Sequence, residues 1–556
     1  ENSSNQGFLK LSFHDHADIH QMLISPDNCE DETVEQLIPF RNAAFTDFNN
    51  SELRDAFKQA IDSISDSFPR CVPIVVNGNP ITRNDFQREC PSDLKLNIAN
   101  VSMANAEELS QAIASAKQAW PNWRDSPVEN RATIFRGAAD ILERDRFELA
   151  ALQSYEVGKS WREADADIAE AIDFCRYYAQ RATKELGEKI EDDYAGEENT
   201  TWAEGRGVTA VIAPWNFPIA ILCGMTSAAL IAGNTVVMKP AEQSSACAYE
   251  LYLRLIEAGV PNDVLQFLPG QGESIGAALV SHPDIVTIAF TGSREVGLSI
   301  LKAAAVVHPG QEQVKRVICE MGGKNATIVD KDADIDEAVS GVLASAFGFA
   351  GQKCSACSRL ILVDTVYESF KERLLAACAS IRCTAAHDPS CMMGPVVDEH
   401  AYDKLAAILD TEYEGAVCLY KGDAKSGGYY VAPAVYEIGD PEHPLMTQEF
   451  FGPVLAMIWA RDFDEALTIA NDSDYALTGA VYSRLPSHIE KASRAFRVGN
   501  LYINRKSTGA LVWRQPFGGF KMSGTGHKAG GPGYLLEYSD QRCRTENTMR
   551  RGFTPE

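Results

Sequence analysis

The segment GVTAVIAPWNFPIAILCGMTSAALIAGNTVVMKP, residues 207 to 240, decides the fold class of this protein. Two short apolar runs rich in β-branched residues stand at its ends, each closed by a proline, as is typical of buried strands. The uncharged stretch between them has its longest apolar run at residues 219 to 232. That run is shorter than the roughly 20 residues of a membrane-spanning helix. We therefore predict a buried helix between two strands.

The same alternation continues along the chain. Further short apolar runs, each closed by Pro, Gly or Asp, are VLQFLPG (264–270), TIAFTGS (287–293), ATIVD (326–330) and SRLILVD (358–364). Helical stretches such as SACAYELYLRLIEAG (245–259) lie between them. Continuous apolar strands that alternate with helices predict the α/β class, a doubly wound parallel sheet covered on both faces. Ligands of such sheets bind at the carboxyl ends of the strands.

The first third of the chain is predicted to be mostly helical. Ser51 is placed as the N-cap of a helix in which Leu53, Phe57, Ile61 and Ile64 recur at helical spacing. Other helical patterns are AEELSQAIASAKQAW (106–120) and the two helices predicted within residues 128–159. By contrast, EDDYAGEENTTWAEGRG (191–207) is polar and turn-rich, which suits a projecting hairpin or flap.

Composition limits the function classes. At 556 residues the chain is too long for one hydrophobic core, so two or three domains are expected. A net charge of -26 argues against nucleic acid and anionic membrane as partners. Fourteen thinly spread cysteines do not resemble a disulfide framework and favour a reducing, cytoplasmic location. The sequence does not show the basic start followed by an apolar core that would indicate a signal peptide.

Candidate ligand-binding residues follow several predicted strands: Trp215, Asn216, Lys239, Glu242, Gly292 and Ser293. The backbone N–H groups of a strand-to-helix turn suit a phosphate, and a cation with a carboxylate suits a ribose. GQGESIG (270–276), which contains Gly272, has the glycines of a dinucleotide-binding loop but not the Gly-x-Gly-x-x-Gly spacing. Each of these residues, taken singly, is more typical of a loop cap or a surface turn.

The segment GQKCSACSR (351–359) pairs Cys354 with Cys357. The pair could be half a zinc site, a redox pair, or one nucleophile with a packed neighbour. A zinc site needs further ligands at suitable spacing, and none presents itself, so no metal is predicted. A redox pair needs a small thioredoxin-like fold around it, which the surrounding sequence does not show.

Eight motifs resemble the NAD(P)-dependent aldehyde dehydrogenase superfamily, in order, between about residue 72 and residue 540. They are PWNFP (214–218), KPAE (239–242), FTGS (290–293), EMGGKN (320–325), GQKCSA (351–356), EFFGPV (449–454), GNLYINR (499–505) and QPFGGFKMSGTG (515–526). The resemblance implies an aldehyde dehydrogenase fold, with a Rossmann-like NAD domain, an α/β catalytic domain and a β-flap for oligomerisation.

The resemblance also implies the catalytic roles. Cys354 is the nucleophile, and Cys357 is expected to be a packed neighbour on the same helix. The oxyanion donors are the side-chain amide of Asn216 and the backbone N–H of Cys354. Glu320 is the general base that activates water to hydrolyse a thioester.

The resemblance implies NAD as the cofactor. Glu449 matches the residue that holds the nicotinamide ribose, and Phe451 lies near it. Lys239 and Glu242 match residues that contact the adenosine ribose, where the carboxylate disfavours the 2′-phosphate of NADP. The other expected cofactor-binding residues are Trp215, Gly272, Gly292 and Ser293.

The substrate is inferred from KSTGALVWRQPFGGF (506–520), which resembles the anchor loop of Δ1-pyrroline-5-carboxylate dehydrogenases. Exposed N–H groups of such a loop suit a carboxylate. The resemblance assigns Ser355, Gly509 and Ala510 to the substrate carboxylate and stacks Phe517 on its aliphatic chain, while some relatives have serine at Ala510. It implies NAD-dependent oxidation of L-glutamate γ-semialdehyde to L-glutamate in proline catabolism. Alternatives are another aldehyde, an acyl-CoA-forming relative, which retention of Glu320 disfavours, and an inactive scaffold.

The resemblance implies a division of the chain. Residues 1–40 form an N-terminal tail, 41–190 and 206–320 an NAD-binding domain, 191–205 an oligomerisation flap, 321–525 a catalytic domain, and 526–556 a C-terminal oligomerisation segment. A homo-oligomer, at least a dimer, is therefore expected. The opening ENSSNQGFLK resembles the end of the proline dehydrogenase barrel of bifunctional proline utilization A proteins. That likeness would make the chain the aldehyde-oxidising part of a longer protein.

Overall fold

The computed structural model describes residues 40–191 and 196–548. All of them except Phe40 and Arg41 belong to one compact unit, Asn42–Glu556. The N-terminal tail predicted at residues 1–40 lies almost wholly outside the described residues, as do residues 192–195 of the predicted flap and the end of the chain after residue 548.

The helices follow the apolar periodicity of the sequence. In chain order they are α1 (Ser51–Ser65), α2 (Ala106–Arg124), α3 (Val128–Arg144), α4 (Arg146–Glu156), α5 (Trp161–Leu186), α6 (Ala220–Ile231), α7 (Ser245–Glu257), α8 (Ala277–Ser281), α9 (Arg294–Ala304), α10 (Ile335–Phe347), α11 (Tyr367–Cys378), α12 (Glu399–Asp410), α13 (Pro444–Thr447), α14 (Phe463–Asn471) and α15 (Pro486–Ala495). Single turns of 3₁₀ or π geometry are Glu242–Ser244, Gly272–Gly276, Gly348–Gly351, Asp364–Val366 and Tyr534–Tyr538.

The strands are short, and most are buried. In chain order they are β1 (Arg70–Val72), β2 (Ile74–Val76), β3 (Asn79–Ile81), β4 (Phe86–Cys90), β5 (Asp93–Val101), β6 (Lys189–Ile190), β7 (Glu197–Gly205), β8 (Val208–Ile212), β9 (Thr235–Lys239), β10 (Leu265–Phe267), β11 (Ile285–Thr291), β12 (Arg316–Glu320), β13 (Asn325–Val329), β14 (Cys357–Val363), β15 (Ala416–Lys421), β16 (Ala434–Ile438), β17 (Val454–Ala460), β18 (Tyr475–Ala476), β19 (Thr478–Tyr482), β20 (Asn500–Ile503), β21 (Phe520–Lys521) and β22 (Ser539–Asn547).

Two seven-stranded sheets organise the unit. The first has the order β12-β11-β8-β9-β10-β2-β3, and its first five strands are parallel. The second has the order β15-β16-β17-β14-β13-β19-β20, and only β15 is antiparallel to its neighbour. Strands β8, β9, β13 and β19 are buried along their whole length, as expected for parallel sheets covered on both faces. The predicted α/β class is confirmed.

The strand register brings the predicted site residues to one edge of the first sheet. Ile212 of β8 lies opposite Phe290 of β11, and Thr291 lies opposite Glu320 of β12. Because these neighbouring strands are parallel, the loops after them leave from the same edge. Those loops carry Asn216 and Ser293.

Several sequence predictions are confirmed and two are wrong. The strand–helix–strand unit of residues 207 to 240 is present as β8, α6 and β9. The N-cap of α1 is Asn50 rather than Ser51, because the Asn50 side chain accepts hydrogen bonds from the first turn. The first third is mostly helical, as predicted, although β1 to β5 also lie within it. Cys357 is on no helix, because it begins β14.

The predicted flap forms a sheet with the C-terminal segment. Strand β7 pairs antiparallel with β22 over nine positions, from Gly205 opposite Ser539 to Glu197 opposite Asn547, and β6 pairs with its other edge. Among the described residues, no helix combines the length and apolar character needed to cross a bilayer.

Candidate active site

Cys354 follows a strained turn. After α10 the chain makes a left-handed 3₁₀ turn, in which Phe349 and Ala350 both have φ of 52° and Gly351 has φ of 68°. A residue with a Cβ pays about 1–2 kcal/mol in this conformation. Such strain persists only where the surroundings fix it, and it concentrates at functional sites. The turn leads Cys354 into a loop that ends at β14.

Asn325, the last residue of the EMGGKN motif, fixes this loop. Its side-chain Nδ2 donates to the carbonyl oxygens of Cys354 at 2.7 Å and Ala356 at 2.9 Å. Its Oδ1 accepts a hydrogen bond from the N–H of Thr478 on β19 at 2.9 Å. One amide side chain therefore ties the Cys354 loop to the second sheet.

Two cavities meet at Cys354. The large cavity, of about 320 Å³, is lined by the predicted residues Trp215, Asn216, Gly292, Ser293, Glu449 and Phe451. The small cavity, of about 100 Å³, is lined by the predicted residues Glu320, Ser355, Gly509, Ala510 and Phe517. Cys354 lines both, so one thiol faces two binding spaces that are built from different parts of the chain.

The environment of Cys354 favours the neutral thiol. Burial, together with the carboxylates of Glu320 and Glu449, raises the pKa of Cys354 to about 12, while a hydrogen bond from the Ser355 backbone opposes the rise. The thiolate is the nucleophilic form, so the thiol must lose its proton to act.

Two donors are available for an oxyanion beside the thiol. One hydrogen of the Asn216 amide is used, because Nδ2 donates to the Gln352 carbonyl at 3.0 Å. An amide carries two hydrogens, so the other is left for a ligand. The backbone N–H of Cys354 makes no hydrogen bond to any residue that the structure describes. The two groups line the same cavity and can stabilise a negative oxygen on the atom that Cys354 attacks.

Glu320 lies at the end of β12 and has the character of a general base. Burial raises the pKa of its carboxyl well above the usual range, and the Lys528 ammonium opposes this rise. Its Oε2 is buried and has no hydrogen-bond partner within the described residues. A carboxylate without fixed partners and with a raised pKa is suited to taking a proton from water.

The large cavity has features that suit a dinucleotide. The backbone N–H of Gly323 holds Glu449 Oε1 at 2.8 Å, and the rings of Trp215 and Phe451 lie edge to face at 5.7 Å. Ser293 is the N-cap of α9, with its hydroxyl accepting from the N–H of Val296 at 3.3 Å. The N-terminus of a helix attracts anions such as a pyrophosphate.

Three predicted cofactor residues do not line this cavity. Lys239 Nζ donates to Glu242 Oε1 at 3.3 Å, and burial lowers the Lys239 pKa. Gly272 begins a π turn whose last residue, Gly276, packs on the Lys239 side chain. Lys239, Glu242 and Gly272 thus lie around the end of β9, and Gln243, which follows Glu242, lines the large cavity.

The predicted anchor loop exposes backbone donors to the small cavity. The N–H groups of Gly509 and Ala510 make no hydrogen bond among the described residues. Gly509 has φ of 77°, which favours glycine at this position. Arg505 holds the Gly509 carbonyl at 2.5 Å, and Ser507 Oγ donates to the Ser355 carbonyl at 3.2 Å.

Sequence reasoning missed several lining residues. Glu170 and Phe174 of α5 line the small cavity, and His400 and Lys404 of α12 line the large one. Burial and the neighbouring carboxylates of Asp167 and Asp173 raise the pKa of Glu170 to about 8. In the sequence, the four missed residues are marked only by helical periodicity. Periodicity places a residue on one face of a helix but does not say which cavity that face meets. No cluster of metal-ligating side chains occurs in the described part of the chain.

Comparison with known proteins places the chain in a family. Residues 80–543 match the Aldehyde dehydrogenase family, and the protein belongs to it. Among its relatives, "1-pyrroline-5-carboxylate dehydrogenase 2" of Halalkalibacterium halodurans is 44% identical over 512 residues, which are 92% of this chain and 99% of that protein. "1-pyrroline-5-carboxylate dehydrogenase" of Geobacillus sp. is 43% identical over 510 residues, 91% of this chain and 99% of that protein.

Comparison with solved structures also finds 1-pyrroline-5-carboxylate dehydrogenases. The 1-pyrroline-5-carboxylate dehydrogenase from Thermus with bound NAD is 42% identical, with a TM-score of 0.89, over 92% of this chain and 99% of that one. Proline utilization A (PutA) from Bdellovibrio bacteriovorus, inactivated by N-propargylglycine, is 46% identical, with a TM-score of 0.90. The match covers 100% of this chain but only 58% of that longer one.

Proposed function

We propose that this protein oxidises L-glutamate γ-semialdehyde, the open form of Δ1-pyrroline-5-carboxylate, to L-glutamate with NAD in proline catabolism. The choice of substrate rests on one observation. The backbone N–H groups of Gly509 and Ala510 have no hydrogen-bond partner among the described residues, and both residues line the small cavity, which Cys354 also lines. A carboxylate held there would leave the aldehyde carbon facing the thiol. The relatives named 1-pyrroline-5-carboxylate dehydrogenase support the same substrate.

Recognition of the substrate's other groups follows from the walls of the small cavity. The Ser355 hydroxyl adds a third donor for the α-carboxylate, and Phe517 packs on the methylene chain. Glu170 lines the same space, and an α-ammonium group beside it would favour its ionised form over the neutral one, so that the two could pair. An aldehyde without these charged groups would gain none of the polar contacts.

The first step is addition of the Cys354 thiolate to the aldehyde carbon, which forms a thiohemiacetal. The negative charge that develops on the former carbonyl oxygen is stabilised by the Asn216 amide and the Cys354 backbone N–H. Bound NAD supplies the acceptor for the hydride that leaves this carbon. Trp215, Gly292, Ser293, Glu449 and Phe451 would hold it in the large cavity, with Lys239, Glu242 and Gly272 at its adenosine end.

The second step is hydrolysis of the resulting thioester. Glu320 takes a proton from a water molecule, the hydroxide adds to the thioester carbon, and the C–S bond breaks to release glutamate and Cys354. Overall, aldehyde, NAD⁺ and water give carboxylate, NADH and two protons.

The wider organisation is also part of the proposal. Residues 41–190 and 206–320 form the NAD-binding domain and 321–525 the catalytic domain, since the first sheet lies within the former and the second within the latter. We assign the flap at 191–205 and the segment 526–556 to a homo-oligomer, and the protein to the cytoplasm, where NAD and a reduced Cys354 are available.

The test is NADH formation with Δ1-pyrroline-5-carboxylate and, separately, with propanal, for wild type and Cys354→Ala. We expect kcat/KM to be far higher for the carboxylated substrate in wild type, and NADH formation to be lost in Cys354→Ala. Equal activity on both aldehydes would keep the chemistry but overturn the substrate. No activity on either would refute the proposal.

A further inference from the structure

Asn42 bridges the longest helix of the described residues and the anchor loop. Its side-chain Nδ2 donates to Asp173 Oδ2 on α5 at 2.8 Å and to the carbonyl oxygen of Val512 at 2.9 Å. An amide nitrogen has two hydrogens, so both are used. The two acceptors are 339 positions apart in sequence, by the difference of their numbers, and this one side chain connects them.

The segment around Asn42, residues 42 to 48, lies along α5 as an extended strap. The N–H of Ala43 donates to Asp173 Oδ1 at 2.7 Å, and Thr46 donates through both its N–H and its hydroxyl to Asp165 at 2.8 and 2.6 Å. Arg146 holds Asp165 from the other side. Three extended residues span about 10 Å and eight helical residues about 12 Å, so the strap runs antiparallel to α5 in matching register.

Both groups that Asn42 joins are next to the small cavity. Asp173 precedes Phe174 and follows Glu170 by one helical turn, and these two residues line the α5 wall. Val512 follows Ala510, which lines the same cavity, by two residues. The Asn42 bridge therefore sets the distance between the wall that would hold the ammonium group and the N–H groups that would hold the carboxylate.

The bridge has a buried carboxylate at one end and a loop carbonyl at the other. Asp173 is 1% exposed, and burial raises its pKa to about 6, while the hydrogen bonds from Ala43 and Asn42 oppose that rise. The Val512 carbonyl also accepts a hydrogen bond from the N–H of Arg514 at 2.8 Å, so among the described residues Asn42 is its one donor from outside its own loop. Without the Asn42 amide, Asp173 would keep the bond from Ala43 and Val512 the bond from Arg514, but the hydrogen-bonded link between α5 and the anchor loop would be lost.

We propose that Asn42 is a positioning residue for substrate selectivity, which acts by fixing the anchor loop against α5. This inference rests on the proposed function, because it assumes that the anchor loop binds the substrate carboxylate. Asn42 lines neither of the two cavities that meet at Cys354. Its effect should therefore be specific to aldehydes that carry a carboxylate.

The test compares Asn42→Ala with Thr46→Val, a matched control that removes a strap hydrogen bond to α5 but makes no contact with the anchor loop. Steady-state kinetics are measured with Δ1-pyrroline-5-carboxylate, propanal and NAD. For Asn42→Ala we expect the KM for the carboxylated substrate to rise about tenfold, the effect of roughly one lost hydrogen bond. The kcat/KM for propanal and the KM for NAD should stay within twofold. Thr46→Val should keep the selectivity of wild type.

Asn42→Ser guards against a folding defect. Its single O–H can serve Asp173 but not Val512 as well, so we expect thermal stability near wild type with the same rise in KM as Asn42→Ala. Equal losses on both aldehydes, or no change on either, would overturn the positioning role. A wild type without preference for the carboxylated substrate would instead refute the proposed function, which separates the two failures.

Discussion

At the scale of single residues, burial and two neighbouring carboxylates raise the pKa of the Cys354 thiol. Glu320 and Glu449 both raise its pKa, in addition to burial. The roles proposed for these two carboxylates are those of a base for hydrolysis and a ligand for the cofactor ribose. The raised pKa favours the neutral thiol in the ligand-free site, and the thiol must lose its proton before it can attack.

This arrangement predicts how Cys354 reacts with iodoacetamide in the absence of ligands. Alkylation requires the thiolate, so its rate at Cys354 should rise with pH throughout the alkaline range. In Glu320→Gln the negative neighbour is gone, and the pH–rate curve should shift to lower pH, since an ionised carboxylate disfavours the thiolate. The measurement is the rate of mass gain on the Cys354 peptide. A curve that does not move, or moves to higher pH, would contradict the electrostatic cause.

At the scale of elements, the left-handed turn before Cys354 depends on close backbone packing. Gly351 has φ of 68°, and a Cβ there would lie 2.3 Å from the Gly452 carbonyl oxygen. Gly452 belongs to the EFFGPV motif. The turn therefore seats the nucleophile loop directly on the loop that carries Glu449.

We expect Gly351→Ala to lower the thermal midpoint sharply and to abolish NADH formation, because the new methyl group must push the Gly452 backbone away. Gly310→Ala is the matched control. Gly310 has φ of 82°, but a Cβ there would meet nothing within 4 Å. The control should be destabilised only by the backbone strain of an alanine in this conformation, about 1–2 kcal/mol. If both variants melt alike and keep activity, the contact with Gly452 is unimportant.

The sequence predicted the helices and strands of this region better than it predicted the turn. Buried strands are indicated by short apolar, β-branched runs, and β8 and β9 were predicted in this way, with α6 predicted from the long apolar stretch between them. Phe349 and Ala350 carry no such signal, because neither residue type favours a left-handed conformation. Only tertiary packing fixes them there. The same reason explains Cys357, whose spacing from Cys354 suggests a helix although it begins β14.

At the scale of the whole molecule, the site is made from segments that lie far apart in sequence. The family motifs identify its residues, but periodicity does not predict that these residues lie together. Cys354, Asn216, Glu320, Ser355 and the anchor loop were predicted from motifs, and the structure places them around two cavities that meet at one thiol. Glu170, Lys404 and Asn42 lie outside those motifs. Only the three-dimensional positions of α5, α12 and the strap show that these residues lie at or near the cavities.

The pairing of β7 with β22 joins the predicted flap to the C-terminal segment and bears on assembly. Arg542 of β22 stacks over Trp202 of β7 at 5.0 Å, and Asp540 bonds Arg206 at 3.0 Å. Removing residues 539–556 would expose the long edge of β7, which would then be a site for unwanted strand pairing. We expect this truncation to lower the thermal midpoint and to change the mass of the proposed homo-oligomer in light scattering.

Truncation after Thr548 is the control for this last prediction, since it leaves every pair between β7 and β22 in place. This shorter truncation should keep the oligomeric state and the thermal midpoint of the full chain. The residues that line the two cavities remain in both truncated forms, so Cys354 should still be alkylated in each. If the longer truncation kept the same mass and thermal midpoint, the pairing would serve neither assembly nor stability, and the assignment of the flap and C-terminal segment to oligomerisation would fall.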